Sequence, residues 1–249
     1  MHKTQTIILA GGKGTRMKSD EPKTLTNLKG KTFLKHILDT VDELSLHTPP
    51  IIVVGHKKEK IIENLTNGEI FAEQKEQLGT AHAVASAKEK VNQDSEAIVV
   101  LSGDQPLVSK ETISKLLKLH FEKNPVITMA TLPLPDFEEW RKWLRHFGRI
   151  IRDEKGKVKE IVEYKDANEK EKYIKELNPA VYVFNPKWLW ENIPLIKNDN
   201  AKNEYYLTDL IQIASRQKAK IETAPLHKDI EGFQPNTKEE LSVLEKLMK

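Results

Sequence analysis

Leu9-Ala10-Gly11-Gly12-Lys13-Gly14-Thr15-Arg16-Met17, followed by Pro22-Lys23, is the stretch on which the fold turns. It comes straight after the apolar run Thr6-Ile7-Ile8-Leu9-Ala10, so it reads as the loop leaving a buried strand. Its three glycines let backbone N–H groups approach a phosphate with no Cβ in the way. Arg16 and Lys23 add two cations able to reach the same oxyanions. Leu9, Ala10, Gly11, Gly12 and Gly14 are therefore candidate nucleotide-binding positions, and Arg16 and Lys23 candidate catalytic cations. The order is not the dinucleotide fingerprint, because Met17 stands in place of a third glycine, and no Gly-Lys-Ser/Thr closes a Walker A loop. The plainer alternative is a tight strand–helix turn with a solvated Arg and Lys.

Outward from this loop, short apolar runs alternate with helical patterns. Ile51-Ile52-Val53-Val54, Glu69-Ile70-Phe71-Ala72, Ala97-Ile98-Val99-Val100-Leu101 and Val126 to Thr131 are predicted strands. Phe33, Leu34, Ile37, Leu38, Val41 and Leu44 recur at helical spacing. Further helices are predicted over Glu59 to Leu65, over Thr80 to Val91, and after Ser109 as N-cap. Continuous apolar strands between helices predict an α/β fold with a doubly wound, mixed but mostly parallel sheet, helices on both faces. Ligands in such folds bind at the carboxyl ends of the strands. The later part is expected to carry a helical insertion at Asp136 to Phe147 and a hairpin around Asp153-Glu154-Lys155-Gly156-Lys157. A strand over Asn178 to Phe184 and helices over Tyr205 to Arg216 and Thr237 to Met248 follow.

The 249 residues carry 40 Lys and Arg against 37 Asp and Glu, a balance too even to argue for nucleic acid or an anionic membrane. With no cysteine, thiolate metal sites and cysteine nucleophiles are excluded. The first apolar stretch is too short for a signal peptide and no run approaches a membrane span, so a cytoplasmic protein is expected. No Gly- or Pro-rich linker interrupts the chain, which reads as one unit over residues 1–249.

Two more stretches carry chemistry. Asp104, in Ser102-Gly103-Asp104-Gln105-Pro106, follows the most apolar strand, where a carboxylate is a natural Mg²⁺ ligand alongside substrate phosphates. An Asp in an ordinary turn is the alternative. Gln74, with Gly79-Thr80 opening a helix, offers an amide that matches a nucleobase edge and free backbone N–H groups. A polar loop with Thr80 as an N-cap is the alternative there.

Taken together with Ile161-Val162-Glu163-Tyr164-Lys165-Asp166, Glu176-Leu177-Asn178 and Glu204-Tyr205-Tyr206-Leu207-Thr208-Asp209, the chain resembles the nucleoside-diphosphate-sugar pyrophosphorylase family. Within it, the chain looks like the uridylyltransferase domain of the bifunctional enzymes that make UDP-N-acetylglucosamine. The resemblance runs over nearly the whole chain. It implies a Rossmann-like nucleotidyltransferase fold, with a nucleotide half over about 1–131, a sugar half over about 132–226 and a metal-bearing C-terminal segment over 227–249. It also implies UTP and N-acetylglucosamine 1-phosphate as substrates and Mg²⁺ as cofactor; a monomer or weak homo-oligomer is expected. Gln74, Gly79 and Thr80 would read the uracil. Gly148, Glu163 and Asn178 would contact the sugar, with Tyr206 and Thr208 around its phosphate and acetamide. Asp104 would share the metal with Asn236, Gln234 being the fallback. Ser102 and Pro179-Ala180 depart from the family pattern, and the Asp136 to Phe147 stretch is longer than usual. No hexapeptide repeat is present, so no acetyltransferase activity is expected of these residues.

The implied mechanism needs no general base, because a sugar phosphate is already ionised at neutral pH. Its difficulty is bringing one anion onto another, which calls for charge neutralisation and alignment. The competing readings are a nucleotidyltransferase for another sugar such as glucose 1-phosphate, the cytidylyltransferase branch, and a non-catalytic regulatory domain of the same fold.

Overall fold

The computed structural model describes residues 2–12, 20–46, 48–65 and 68–248. Gly14 and Arg16 lie outside the described residues.

Four strands, β1 (Thr4–Leu9), β4 (Ile51–Val54), β5 (Ile70–Glu73) and β6 (Ala97–Ser102), form a parallel array in the order β5-β4-β1-β6. A small hairpin of β2 (Asn27–Leu28) and β3 (Lys31–Thr32) stands apart. The apolar runs are continuous because both faces of this array are covered. Ile8, Ile52, Val54, Val99 and Leu101 bury on one face, with α1 (Phe33–Glu43) and α4 (Lys110–Lys123). Ile7, Ile51, Val53, Ile98 and Val100 bury on the other, with α3 (Thr80–Ser86). Thr32 caps α1 by accepting from Lys35 N (3.2 Å), and Ser109 caps α4 by accepting from Thr112 N (3.2 Å). The Glu59 to Leu65 helix corresponds to α2 (Lys58–Glu63).

The sheet continues through β7 (Ile127–Pro133), β8 (Arg149–Arg152) and β9 (Val158–Val162), the last two forming the expected hairpin. Asp153 Oδ1 accepts from Lys155 N (2.9 Å) and Lys157 N (2.8 Å) to close its turn. One edge of β7 pairs with β12 (Ile221–Pro225), parallel. Its other edge pairs with two short strands, β10 (Glu176–Leu177) and β11 (Tyr182–Phe184). The expected single strand from Asn178 to Phe184 is therefore interrupted. Leu177 lies opposite Leu132 and Tyr182 opposite Met129, so residues 178–181 face only 130 and 131. Pro179 has no N–H for a ladder and Ala180 takes φ 58°, so Asn178-Pro179-Ala180 bulges out of the sheet. Beyond the bulge β10 pairs with β8 and β11 with β6. Tyr182 pairs with Val100, two residues short of Ser102, so the bulge emerges beside the carboxyl end of β6.

The stretch expected to be helical at 136–147 is helical, and two further helices differ from expectation in extent. The Asp136 to Phe147 stretch holds a 3₁₀ helix, Glu139–His146, in which residues three apart eclipse, and Trp140 and Trp143 both pack against the core. The helix expected from Thr80 to Val91 stops being α at Ser86 and ends as a 3₁₀ turn, Lys88–Lys90. α7 (Asp209–Arg216) starts four residues after Tyr205, whose backbone is engaged elsewhere. Two short helices, α5 (Glu169–Lys172) and α6 (Pro186–Asn192), precede it. α8 (Lys238–Leu247) is capped by Thr237, which accepts from Glu240 N (3.1 Å). Among the described residues no helix is long and apolar enough to cross a membrane.

Candidate active site

The carboxyl ends of β1 and β6 touch: Gly103 N donates to Leu9 O (2.9 Å), and a Cβ on Gly103 would sit 2.7 Å from that carbonyl. This close approach delivers Asp104 beside the glycine loop. Ala10 N donates to Val53 O (2.8 Å), and Gly11 lies against Gln74, while among the described residues nothing lies within 4 Å of the Cβ position on Gly12. From Asp20 the described chain runs to Pro22, which leads into a single 3₁₀ turn, Lys23–Leu25. Lys23 is buried, and its ammonium donates to the Asp104 carboxylate and to Asn236 Oδ1 (2.9 Å). Three residues some 81 and 213 positions apart in sequence thus share one point. An anionic oxygen and an amide carbonyl oxygen converge there on a cation.

The segment carrying Asn236 is held from several sides. The buried Glu231 carboxylate accepts from Ser109 N (3.1 Å), Thr112 Oγ1 (2.7 Å) and Lys228 N (2.9 Å), at the amino end of α4. Gln105, next to Asp104, donates to Glu231 O (2.9 Å) and accepts from Gln234 Nε2 (3.2 Å). Gln234 thus donates to Gln105, while Asn236 is the one that meets Lys23. Asn236 N donates to Glu240 Oε2 (2.6 Å).

Gln74 Nε2 donates to Gly79 O (3.0 Å) and lies 3.2 Å from His82 Nδ1; Oε1 is the atom outside these bonds, and it faces Gly11. The loop at Gly79 is latched to a distant segment. Tyr205 N donates to Leu78 O (2.7 Å), Ala81 N to Tyr205 O (2.9 Å) and Leu207 N to Thr80 Oγ1 (2.9 Å). Gly79 takes φ 113°, and a Cβ on it would lie 2.5 Å from Tyr205 O. Thr80 is the first residue of α3 rather than its N-cap, its hydroxyl serving Leu207 instead.

Gly148, Glu163, Asn178 and Thr208 form a second cluster next to the bulge. Thr208 Oγ1 donates to Glu163 Oε1 (3.2 Å), which a Cβ on Gly148 would approach to 3.4 Å, and Asn178 N donates to Gly148 O (3.0 Å). The Asn178 amide and the Tyr182 hydroxyl exchange hydrogen bonds of 2.7 and 2.9 Å, and Ala180 N donates to Asn178 Oδ1 (3.1 Å). Burial pushes the Glu163 carboxyl above its usual range. Asp209 is raised to about 6 by burial and by Glu163, Asp199 and Asp166. The Tyr206 hydroxyl is buried with no hydrogen-bond partner among the described residues, and burial with nearby carboxylates raises its pKa. Tyr182 and Tyr205 were not foreseen as site residues. Both act on partners through pairings that leave no local sequence signature.

Residues 6–154 match the family model described as a MobA-like NTP transferase domain, which is 149 of the 249 residues. The chain belongs to this family. The NTP transferase is 44% identical over 207 residues to the bifunctional protein GlmU of Lactococcus lactis subsp. cremoris (strain SK11), covering 83% of this chain and 43% of that one. It is 41% identical over 243 residues to the bifunctional protein GlmU of Clostridioides difficile (strain 630), covering 98% and 51%. The chain thus spans about half the length of these curated relatives. Its fold is that of a UDP-glucose pyrophosphorylase solved with UDP-glucose (TM-score 0.77, 16% identity, 99% of this chain and 98% of that one). It is also similar to a 4-diphosphocytidyl-2C-methyl-D-erythritol synthase from Anaerococcus prevotii DSM 20548 (TM-score 0.66, 15% identity, 99% and 98% covered). The doubly wound, mixed sheet expected from the apolar runs is the fold observed.

Proposed function

We propose that this NTP transferase joins UTP to N-acetylglucosamine 1-phosphate, giving UDP-N-acetylglucosamine and pyrophosphate. The observation that carries the reading is the meeting of Lys23, Asp104 and Asn236 beside the glycine loop. The GlmU relatives, alike over most of this chain, support the narrower choice of substrates.

One ionised oxygen and one neutral carbonyl oxygen already oriented on a cation suit Mg²⁺, which takes few protein ligands and completes its shell with phosphates and water. Asp104 and Asn236 would hold the ion, and it would supply neutralisation of phosphate charge. An oxygen of the sugar phosphate attacks the α-phosphorus of UTP, forming one P–O bond while the bond to the β-phosphate breaks and pyrophosphate departs. Lys23, displaced from Asp104 and Asn236 by the ion, would offer positive charge to the phosphates, with Arg16 as the second cation of the same sequence stretch. Gln74 and the Gly79-Thr80 turn would frame the uracil. Glu163, Asn178, Thr208 and Tyr206 offer acceptors and hydroxyls, with the Lys202 ammonium 5.8 Å from the Tyr206 ring centroid. That set suits a hydroxyl-rich ring carrying a phosphate. The enzyme would act on small soluble substrates in the cytoplasm, as a monomer or weak homo-oligomer.

A uridylyltransferase for a different sugar phosphate is the second reading, favoured by one feature: Pro179 and Ala180 form the bulge at the proposed sugar pocket. Pyrophosphate release, crossing UTP, dTTP and CTP with N-acetylglucosamine, glucosamine and glucose 1-phosphates, separates the two. Turnover confined to UTP with N-acetylglucosamine 1-phosphate is expected. Preference for another sugar would transfer the assignment to the second reading, and no release with any pair would refute both.

A further inference from the structure

The Glu139–His146 helix and the Phe233–Asn236 segment touch at two points. At one end the Trp140 and Phe233 rings pack with centroids 5.8 Å apart. At the other, Asn236 Nδ2 lies 3.3 Å from His146 Nε2. His146 itself stands on a rigid mount. The fully buried Arg149 guanidinium donates to the carbonyls of Arg145 (2.7 Å) and Phe147, the two neighbours of His146. The same group donates to Lys172 O (3.2 Å), and Phe137 and Tyr164 rings lie 5.3 and 5.1 Å from it.

We propose that the 136–147 insertion is a brace for the cation site, and that His146 is a positioning residue setting the orientation of the Asn236 amide. The inference rests on reading Asn236 as a cation ligand. An amide turned over would present its NH₂ group, a donor, to a cation. Asn236 Nδ2 donates to Gln234 O (2.8 Å); its other hydrogen has two acceptors in reach, His146 Nε2 (3.3 Å) and Glu240 Oε2 (3.5 Å), of which His146, accepting at Nε2, is the nearer. With both hydrogens placed, Oδ1 faces the point where the Lys23 ammonium and the Asp104 carboxylate meet. Partners that orient a metal ligand in this way are worth about tenfold or more in metal affinity.

The test uses Mn²⁺ as the probe, measured as free ion by electron paramagnetic resonance in titrations of the full chain. His146→Phe keeps a ring and removes the acceptor, and His146→Gln returns an acceptor oxygen. The brace predicts that His146→Phe weakens Mn²⁺ binding about tenfold, leaves the melting temperature unchanged, and is rescued in good part by His146→Gln. Wild-type Mn²⁺ affinity in His146→Phe overturns it. So does a loss that tracks a lowered melting temperature and is not restored by His146→Gln. Asn236→Ala separates the two levels of the argument. If that variant binds Mn²⁺ as the wild type does, the brace and the metal assignment fall together. If binding depends on both Asn236 and His146 but no sugar nucleotide forms, the brace stands and the proposed reaction fails.

Discussion

Gly79→Ala is the substitution whose cost the structure defines most sharply. At φ 113° the backbone lies in a region that L side chains rarely adopt, and the added Cβ would fall 2.5 Å from Tyr205 O and 2.7 Å from Tyr205 N. The conformational term costs about 1–3 kcal/mol, and forcing backbone atoms apart adds about 1–3 kcal/mol. A total of roughly 2–6 kcal/mol lowers the melting temperature by about 2–4 °C per kcal/mol in a chain of this size. The neighbour is backbone hydrogen-bonded to Leu78 and Ala81, so relief must come from opening that latch. Opening it displaces Thr80 and Gln74, and KM for UTP should rise about tenfold or more, as displaced binding groups cost about 1.4 kcal/mol per factor of ten. Gly156→Ala is the control: φ is +76°, but among the described residues nothing lies within 4 Å of its Cβ position. It should cost about 1 kcal/mol and leave KM alone. Thermal melts and UTP saturation curves on the two variants decide the matter. A Gly79→Ala enzyme with the stability and KM of the wild type would refute the latch.

Other predictions follow from the same geometry. Asp104→Ala should cut kcat/KM about a hundredfold or more, the scale of losing one preorganised electrostatic partner, while circular dichroism stays native. Glu231→Gln should lose about 1–3 kcal/mol of stability, because a side chain that accepts from three donors is replaced by one that brings donors of its own; chemical denaturation reads this. Asp209, raised to about 6, gives a pH signature. A carboxyl whose folded pKa lies above its unfolded value favours the fold below about pH 4, and that contribution is lost as pH rises through 6. Asp209→Asn should therefore gain melting temperature relative to the wild type at pH 8 and not at pH 4, and an equal effect at both pH values would contradict the burial of its charge.

How far the sequence carried the fold depends on how local the signal was. β1, β4, β5 and β6 were legible because they are sandwiched on both faces, which leaves unbroken apolar runs ended by Gly11, Gly55 or polar residues. Ser109 and the Asp153–Lys157 turn were legible from side chains that bond within three or four residues. The break between Leu177 and Tyr182 had a signal, Pro179, since a proline argues against a central strand. The late start of α7 had none: Tyr205 is withheld from the helix by bonds to Leu78 and Ala81, far off in the chain. Within the site, Lys23, Asp104 and Asn236 were each named as candidates, and the structure brings them together. Gly14 and Arg16 lie outside the described residues. The Tyr182–Asn178 and His146–Asn236 pairings depend on the bulge and on the 3₁₀ insertion, neither of which a residue period encodes.

The most direct measurement is phosphorus NMR of the purified protein with UTP, N-acetylglucosamine 1-phosphate and Mg²⁺. The account predicts that the sugar-phosphate signal decays into a coupled diphosphate pair as inorganic pyrophosphate grows in equal amount, and that a chelator stops both. Signals unchanged after prolonged incubation, or UTP broken down while the sugar phosphate persists, would contradict it.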